Sequence, residues 1–301
     1  MMNNKEVKDD VRITEIPTIV IERDNDTVKR QRSKRPVIKI LKYAAGVLCL
    51  LLGVIVVIEG YRLWSYYYDY GMTVSVSSSE NIAKLKAAPV NERAEVVLKS
   101  DSILGVGLDI YAIHGLQGSI EFQEPDTADT SVYLYCRSAD FTADGRYLGT
   151  LVAEGRAHQS DNSRLGYMAM ANGNNVIGIS RFDDVKDYVA DHGGSFFRQF
   201  VLVSNGELPS QFHLHGKVER CAIGRIGERL FYVTTRHKET LWSFADALRE
   251  YGFIDAIYIT GGTDYSFYRD SSGIRHDIHD IARYPHKKWQ GITPWLVFRK
   301  R

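Results

Sequence analysis

The sequence predicts an α/β, mixed-sheet α+β globular domain behind one N-terminal transmembrane helix. Three observations carry that expectation. The run Tyr43–Ile58, YAAGVLCLLLGVIVVI, holds no charged side chain. Beyond it, short β-rich runs alternate with Asn-Gly and other glycine turns. Near the end, a strand-like run, an amphipathic helix and a second apolar strand follow one another between Leu230 and Thr260.

A bilayer asks for about 20 apolar residues. Ile38, Ile40 and Leu41 extend the run on one side, and Tyr61, Leu63 and Trp64 on the other, so the span is placed at 37–64. Lys39 and Lys42 can snorkel. Trp64, Tyr66, Tyr67 and Tyr68 form an aromatic belt. A cleaved signal would begin near the first residue and end in small side chains, whereas Tyr61-Arg62-Leu63-Trp64 follows here. A core helix would be apolar on one face only.

Lys29, Arg30, Arg32, Lys34, Arg35, Lys39 and Lys42 precede the span, and only Arg62 follows it before Lys84. The positive-inside rule therefore predicts a cytoplasmic N-terminus, a cell (inner) membrane anchor and a periplasmic or extracellular domain. Residues 1–36, polar and broken by Pro17 and Pro36, are expected as a disordered basic tail. Residues 65–90, weakly patterned and Ser-rich, are expected as a stalk, and residues 91–301 as the folded domain.

A formal net charge of +1 supplies no field to gather nucleic acid, so none is expected as a partner. The 18 Tyr suit core packing or a carbohydrate-facing surface. Cys49 lies in the apolar run. Cys136 and Cys221 read either as buried free thiols or as a pair.

Along the domain, Leu104, Leu108 and Ile110–Ile113 mix helix and strand periods. Ser119–Phe122 and Val132–Cys136 read as strands. Tyr167–Met170 and Val176–Ile179 flank Asn172-Gly173 as a hairpin. Phe182–Asp191 reads as a helix with Phe182, Val185, Tyr188 and Val189 on one face. Phe200–Val203 leads to an Asn205-Gly206 turn. Arg220–Ile223 and Leu230–Thr234 flank Gly224 and Gly227, taken as turn residues. Leu241, Phe244, Ala245, Leu248 and Tyr251 keep helical spacing, with Thr240 as N-cap and Gly252 past the end. Ile254–Thr260 completes a strand–helix–strand unit, which implies a right-handed parallel crossover. Phe267–Arg269 and Ile274–Ile278 form a hairpin over Ser272-Gly273, and Trp295–Phe298 is a last strand.

Four patches could line a site: Gly193–Arg198 (GGSFFR), Arg220–Gly224 (RCAIG), Gly261–Asp264 (GGTD) and Asp140–Gly145 (DFTADG). Glycine pairs let a ligand approach backbone N–H groups. Together with His192, Asn205-Gly206-Glu207, Ser243-Phe244-Ala245 and Ala256–Gly262, these motifs resemble the phosphodiester glycosidase family, in the family's order, over roughly residues 130–298. His192 stands where the family carries Asn. Thr260 stands where its Asp-Gly-Gly motif carries the acid, and Thr263 where it carries a third glycine, with Asp264 next along.

The resemblance implies a membrane-anchored hydrolase acting on a sugar-1-phosphodiester. Its phosphate would lie among His192, Gly193, Gly194, Arg198, Arg220, Gly261, Gly262 and Thr263, the arginines offering bidentate forks. Cleavage of the sugar–oxygen bond passes an oxocarbenium-like state that normally asks for carboxyls. Asp140, Glu154 and Asp264 are the candidates. The implied partners are the bilayer, through residues 37–64, and a sugar-phosphate or glycan. No cofactor is called for, and a divalent cation stays open. One rival reading is a non-catalytic glycan-binding domain, prompted by the missing acid. Another is a metal-dependent hydrolase using His213 and His215 or the His276–Asp280 patch. His276 and His279 would face opposite sides of a strand, and no metal ligand is assigned.

Overall fold

A computed structural model describes residues 39–61, 76–138, 147–161, 164–210, 212, 214, 216–261, 266–278 and 294–300. The chain divides into two units, Met1–Trp64 and Ser65–Arg301. In the first, α1 (Lys39–Tyr61) has 23 residues, none of them buried. At 1.5 Å per residue it is about 34 Å long, enough to cross a hydrocarbon layer of about 30 Å.

The second unit opens with α2 (Ser78–Lys86), inside the segment expected as a stalk. Ser77 caps it by accepting from the Glu80 N–H. Leu85 is fully buried, and Asn81 donates to the Tyr167 hydroxyl at 2.7 Å. Two buried positions four apart on one helix face dock it, a signal too short to separate from a polar linker.

The strands are β1 (Glu95–Ile103), β2 (Val106–His114), β3 (Leu116–Glu121), β4 (Val132–Arg137), β5 (Leu151–Ala153), β6 (Arg156–Gln159), β7 (Gly166–Ala171) and β8 (Asn174–Ile179). After α3 (Asp184–Asp191) come β9 (Ser195–Gln199), β10 (Val201–Val203), β11 (Arg220–Ile226) and β12 (Arg229–Thr235). Then follow α4 (Leu241–Tyr251), β13 (Asp255–Gly261), β14 (Phe267–Arg269), β15 (Arg275–Asp277) and β16 (Trp295–Lys300). They form three sheets, ordered β1-β2-β12-β11-β13-β10, β15-β14-β4-β16-β3 and β6-β5-β9-β7-β8.

The α+β expectation holds, with antiparallel pairing between these strands. β12 and β13 do run parallel, but β11 lies between them and pairs with both. The tight β11–β12 hairpin takes one edge of β11, so the strand returning from α4 takes the other. Gly224 sits within β11 rather than in a turn. A Cβ there would stand 2.6 Å from the Phe253 ring. The ambiguous Leu104–Ile113 region is the β1–β2 hairpin. Phe182 is 73% exposed and lies before α3, off its buried face.

Strand alternation divides the core. Tyr111, Cys221, Ile223, Tyr232, Ile257 and Ile259 point from the first sheet into a cluster shared with the other two sheets. Leu108, Ala222, Val233, Ala256 and Tyr258 point the opposite way, against Leu241, Phe244, Ala245 and Leu248 of α4. Thr240 caps α4 and Gly252 ends it at φ 107°, as its sequence predicts. Cys136 and Cys221 are both buried and free, one of the two alternatives left open. α2 and α3 cover the third sheet through Leu85, Val185 and Val189.

Candidate functional site

β3 is an edge strand of the second sheet. Its outward N–H groups meet side chains instead of a strand: Gly118 donates to Asn175 Oδ1 at 2.8 Å, and Ile120 to Ser195 Oγ at 3.1 Å. Asn175 returns a bond to the Leu116 carbonyl at 2.9 Å. Past Ile120, a cleft of about 460 Å³ lies between the end of β3 and the β5–β6 hairpin, lined by Glu121, Phe122, Gln123, Glu154, Arg156 and His158 among others.

Two further links tie this cleft to motifs singled out in the sequence. The Gly155 N–H donates to the Gly194 carbonyl at 2.8 Å. Gly194 leads into Ser195, whose hydroxyl finishes the β3 edge. Gly194 must be glycine, because a Cβ would lie 2.3 Å from the Met170 carbonyl oxygen.

Register extends the site sideways. Glu121 pairs with Trp295, and Trp295 with Arg137. Ser138 donates through N–H and hydroxyl to the Pro294 carbonyl, at 3.2 and 3.0 Å. The Ile278 N–H donates to the Ser266 carbonyl at 2.9 Å. Arg137, Ser138, Pro294 and Trp295 therefore stand at the end of the second sheet where the cleft lies. Asp140, Gly262, Thr263 and Asp264 lie outside the described residues, as do His213, His215 and His279.

Within the cleft the charges divide. Arg299 grips both Glu121 oxygens at 2.9 Å and also holds Asp129. Hydrogen bonds from Ser131 and then Arg299 bring the Asp129 carboxyl down to about 2. Glu121 is thus spent on Arg299. Glu154, at φ 50° in the hairpin turn, and Arg156 beside it are exposed, and neither side chain has an ion pair or hydrogen bond among the described residues. The His158 ring stands edge-on to Phe122, centroids 4.4 Å apart.

Both arginines expected to hold phosphate are committed elsewhere. Arg198 is fully buried. It donates to the carbonyls of Ser180, Phe182 and Arg164 and pairs with Asp183 at 3.1 Å. Desolvation lowers its pKa, opposed by Asp183. It ties β9 to the loop before α3, because strand alternation sends its side chain away from the cleft.

Arg220 does stand opposite Gly261 in the β11–β13 ladder, but its side chain leaves on the α4 face. It donates to the carbonyls of Glu239 and Gly216 at 3.1 and 2.9 Å and to the Tyr258 hydroxyl at 3.3 Å. His192 caps α3, stacks on Tyr188 at 4.0 Å and bonds the Tyr188 carbonyl oxygen through Nδ1. Gly193 is in the left-handed region, φ 66°, as the turn after α3 requires. Thr260 is buried in β13.

Of the residues about this cleft, the sequence offers Glu154 as a candidate carboxyl and Ser195 within a glycine patch, while Phe122, Arg156 and His158 are not among its candidates. The one available signal was the Arg156-x-His158 spacing just after a Glu-Gly turn, which puts both side chains on one strand face. His276 of the rival metal patch bonds Asp270 at 2.8 Å and stacks on Tyr268. Among the described residues no group of three His, Cys, Asp or Glu is placed to hold a metal ion.

No protein-family model and no curated protein matches the chain. Among solved structures it is similar to the zebrafish N-acetylglucosamine-1-phosphodiester alpha-N-acetylglucosaminidase catalytic domain, auto-inhibited by its pro-peptide. That likeness has 14% identity and a TM-score of 0.47, over 72% of this chain and 86% of that one. It is also similar to a hypothetical protein from Synechocystis at 10% identity and a TM-score of 0.51, over 71% of this chain and 64% of that one. Likeness at these identities is likeness of fold alone.

Proposed function

We propose that the globular unit is a phosphodiester glycosidase-like hydrolase of the cell envelope, acting on a sugar-1-phosphodiester. One observation carries the reading: the Glu154 carboxylate lines a cleft at the end of β3 together with Arg156, and neither side chain has an ion pair among the described residues. The glycine motif at Gly194 is bonded to the same hairpin. In the proposed reaction, water attacks the anomeric carbon and gives up a proton to a carboxylate. The carbon–oxygen bond breaks, and the phosphate monoester leaves with the electron pair. Phosphate is a good leaving group, so one carboxylate near the anomeric carbon supplies most of the help needed.

In this reading α1 anchors the chain in the inner membrane with the N-terminus in the cytoplasm. Protease added to intact spheroplasts should then remove the C-terminal unit and leave the tail. Protection of that unit reverses the orientation.

The test of function is incubation of the full chain, in detergent, with a panel of sugar-1-phosphodiesters, following hydrolysis and binding together. Hydrolysis insensitive to chelator supports the proposal. Loss of hydrolysis on chelation selects a metal-dependent reaction. A second reading is favoured by Thr260, a buried hydroxyl where the resembled motif carries an acid. Binding without turnover selects that reading, a glycan-binding domain.

A further inference from the structure

We infer that Arg156 is the anchor for the anionic phosphoryl group of the ligand. The inference rests on the proposed function and deepens it by placing the two halves of the ligand in the cleft. The domain's other well-placed arginines are occupied. Arg198 and Arg220 bond carbonyl groups inside the fold. Arg225 pairs with Asp255 at 2.7 Å, Arg269 donates to the carbonyls of Val132 and Thr127, and Arg299 holds Glu121. Arg156 lines the cleft and makes no ion pair among the described residues.

The arrangement has a direction. Glu154 and Arg156 are two residues apart and share the cleft, yet they do not pair with each other. Glu121, the other carboxylate on the wall, is neutralised by Arg299. One negative and one positive pole therefore remain. A sugar-1-phosphodiester has matching poles along the bond that breaks: the anomeric carbon gains positive charge, and the phosphoryl group carries the negative charge. Glu154 suits the first and the Arg156 fork the second. The edge-on Phe122 and His158 rings offer an apolar surface to the sugar's C–H face.

The probe is the monomethyl ester of a hexose-1-C-phosphonate, whose sugar–phosphorus link does not hydrolyse, compared with the neutral methyl hexoside. Binding is measured on the full chain in detergent. The parent should bind the phosphonate more tightly than the hexoside. Arg156→Ala should weaken phosphonate binding about ten- to a hundredfold, the size of one lost charged hydrogen bond. It should leave hexoside binding and the melting temperature unchanged. Arg156→Lys should recover part of the loss, and Arg229→Ala, an exposed cation away from the cleft, should behave as the parent. Phosphonate binding by Arg156→Ala at parental strength means a solvated surface arginine and overturns the anchor alone. A parent that binds neither compound removes the functional reading, and the anchor with it.

Discussion

Arg220 stands opposite Gly261 across the β11–β13 ladder, while its guanidinium reaches the Tyr258 hydroxyl, 3.3 Å away on the α4 face. Backbone proximity and side-chain direction have separated here. The order of motifs along the chain brings the two glycine-rich segments to one sheet end. A register shift between Arg220 and Ala222 accompanies the turn of the side chain toward α4.

Arg220→Lys should therefore lower stability rather than ligand affinity. Arg220 is 3% exposed and its guanidinium serves three acceptors on three segments, which an ammonium cannot reach together. The expected cost is about 1–3 kcal/mol, read as a fall in melting temperature. An unchanged melting temperature with lost phosphodiester binding would return Arg220 to the ligand.

Arg198→Met should be harsher. It takes the donors from the carbonyls of Ser180 and Phe182, while the part-exposed Asp183 keeps Lys186 at 2.7 Å. Each buried acceptor left without its donor costs about 1–3 kcal/mol. The urea midpoint should fall accordingly. A variant as stable as the parent contradicts this role.

The Arg299 network makes a pH prediction. Asp129 is lowered from the usual 3.8 to about 2, so the folded state favours its charged form. Its contribution is complete above 3.8 and is lost as pH falls toward 2. Asp129→Asn should cost stability near neutral pH, with the gap to the parent closing across that window. The side chain is 37% exposed, so screening keeps the effect small. A gap that widens in acid refutes the assignment.

Much of the fold was legible because its signals are local. Asn172-Gly173, Asn205-Gly206, the Thr240 cap and Gly252 each determine their own geometry, and each stands where expected. α2 was missed because two docked positions, Asn81 and Leu85, make no periodic run. The middle position of β11 was missed because it depends on which edge a returning strand takes. The direction of the candidate side chains was not legible. Arg198 carries the same charge whether it faces a cleft or the carbonyl of Phe182, and only the strand's pleat decides. Nothing in the sequence sets Arg156 apart from an ordinary edge charge.

Glu154 offers the sharpest test. Four hairpin turns share one geometry: Leu104-Gly105, Glu154-Gly155, Asn172-Gly173 and Asn205-Gly206, with φ of 50–52° at the first residue and 74–81° at the glycine. Asn suits that first position, because its short side chain tolerates the left-handed region. Leu and Glu are strained there by about 1 kcal/mol. A glutamate kept at such a position, at the rim of a cleft, is what a functional carboxylate would look like. Glu154→Asn should raise stability by about 1 kcal/mol while cutting hydrolysis of a sugar-1-phosphodiester about a hundredfold or more. Leu104→Asn, with the same strain in a turn remote from any motif, should gain similar stability and keep full activity. Melting curves and initial rates on the three proteins separate the outcomes. If Glu154→Asn gains stability and keeps its rate, Glu154 is a turn residue like Leu104, and the reacting carboxyl lies elsewhere.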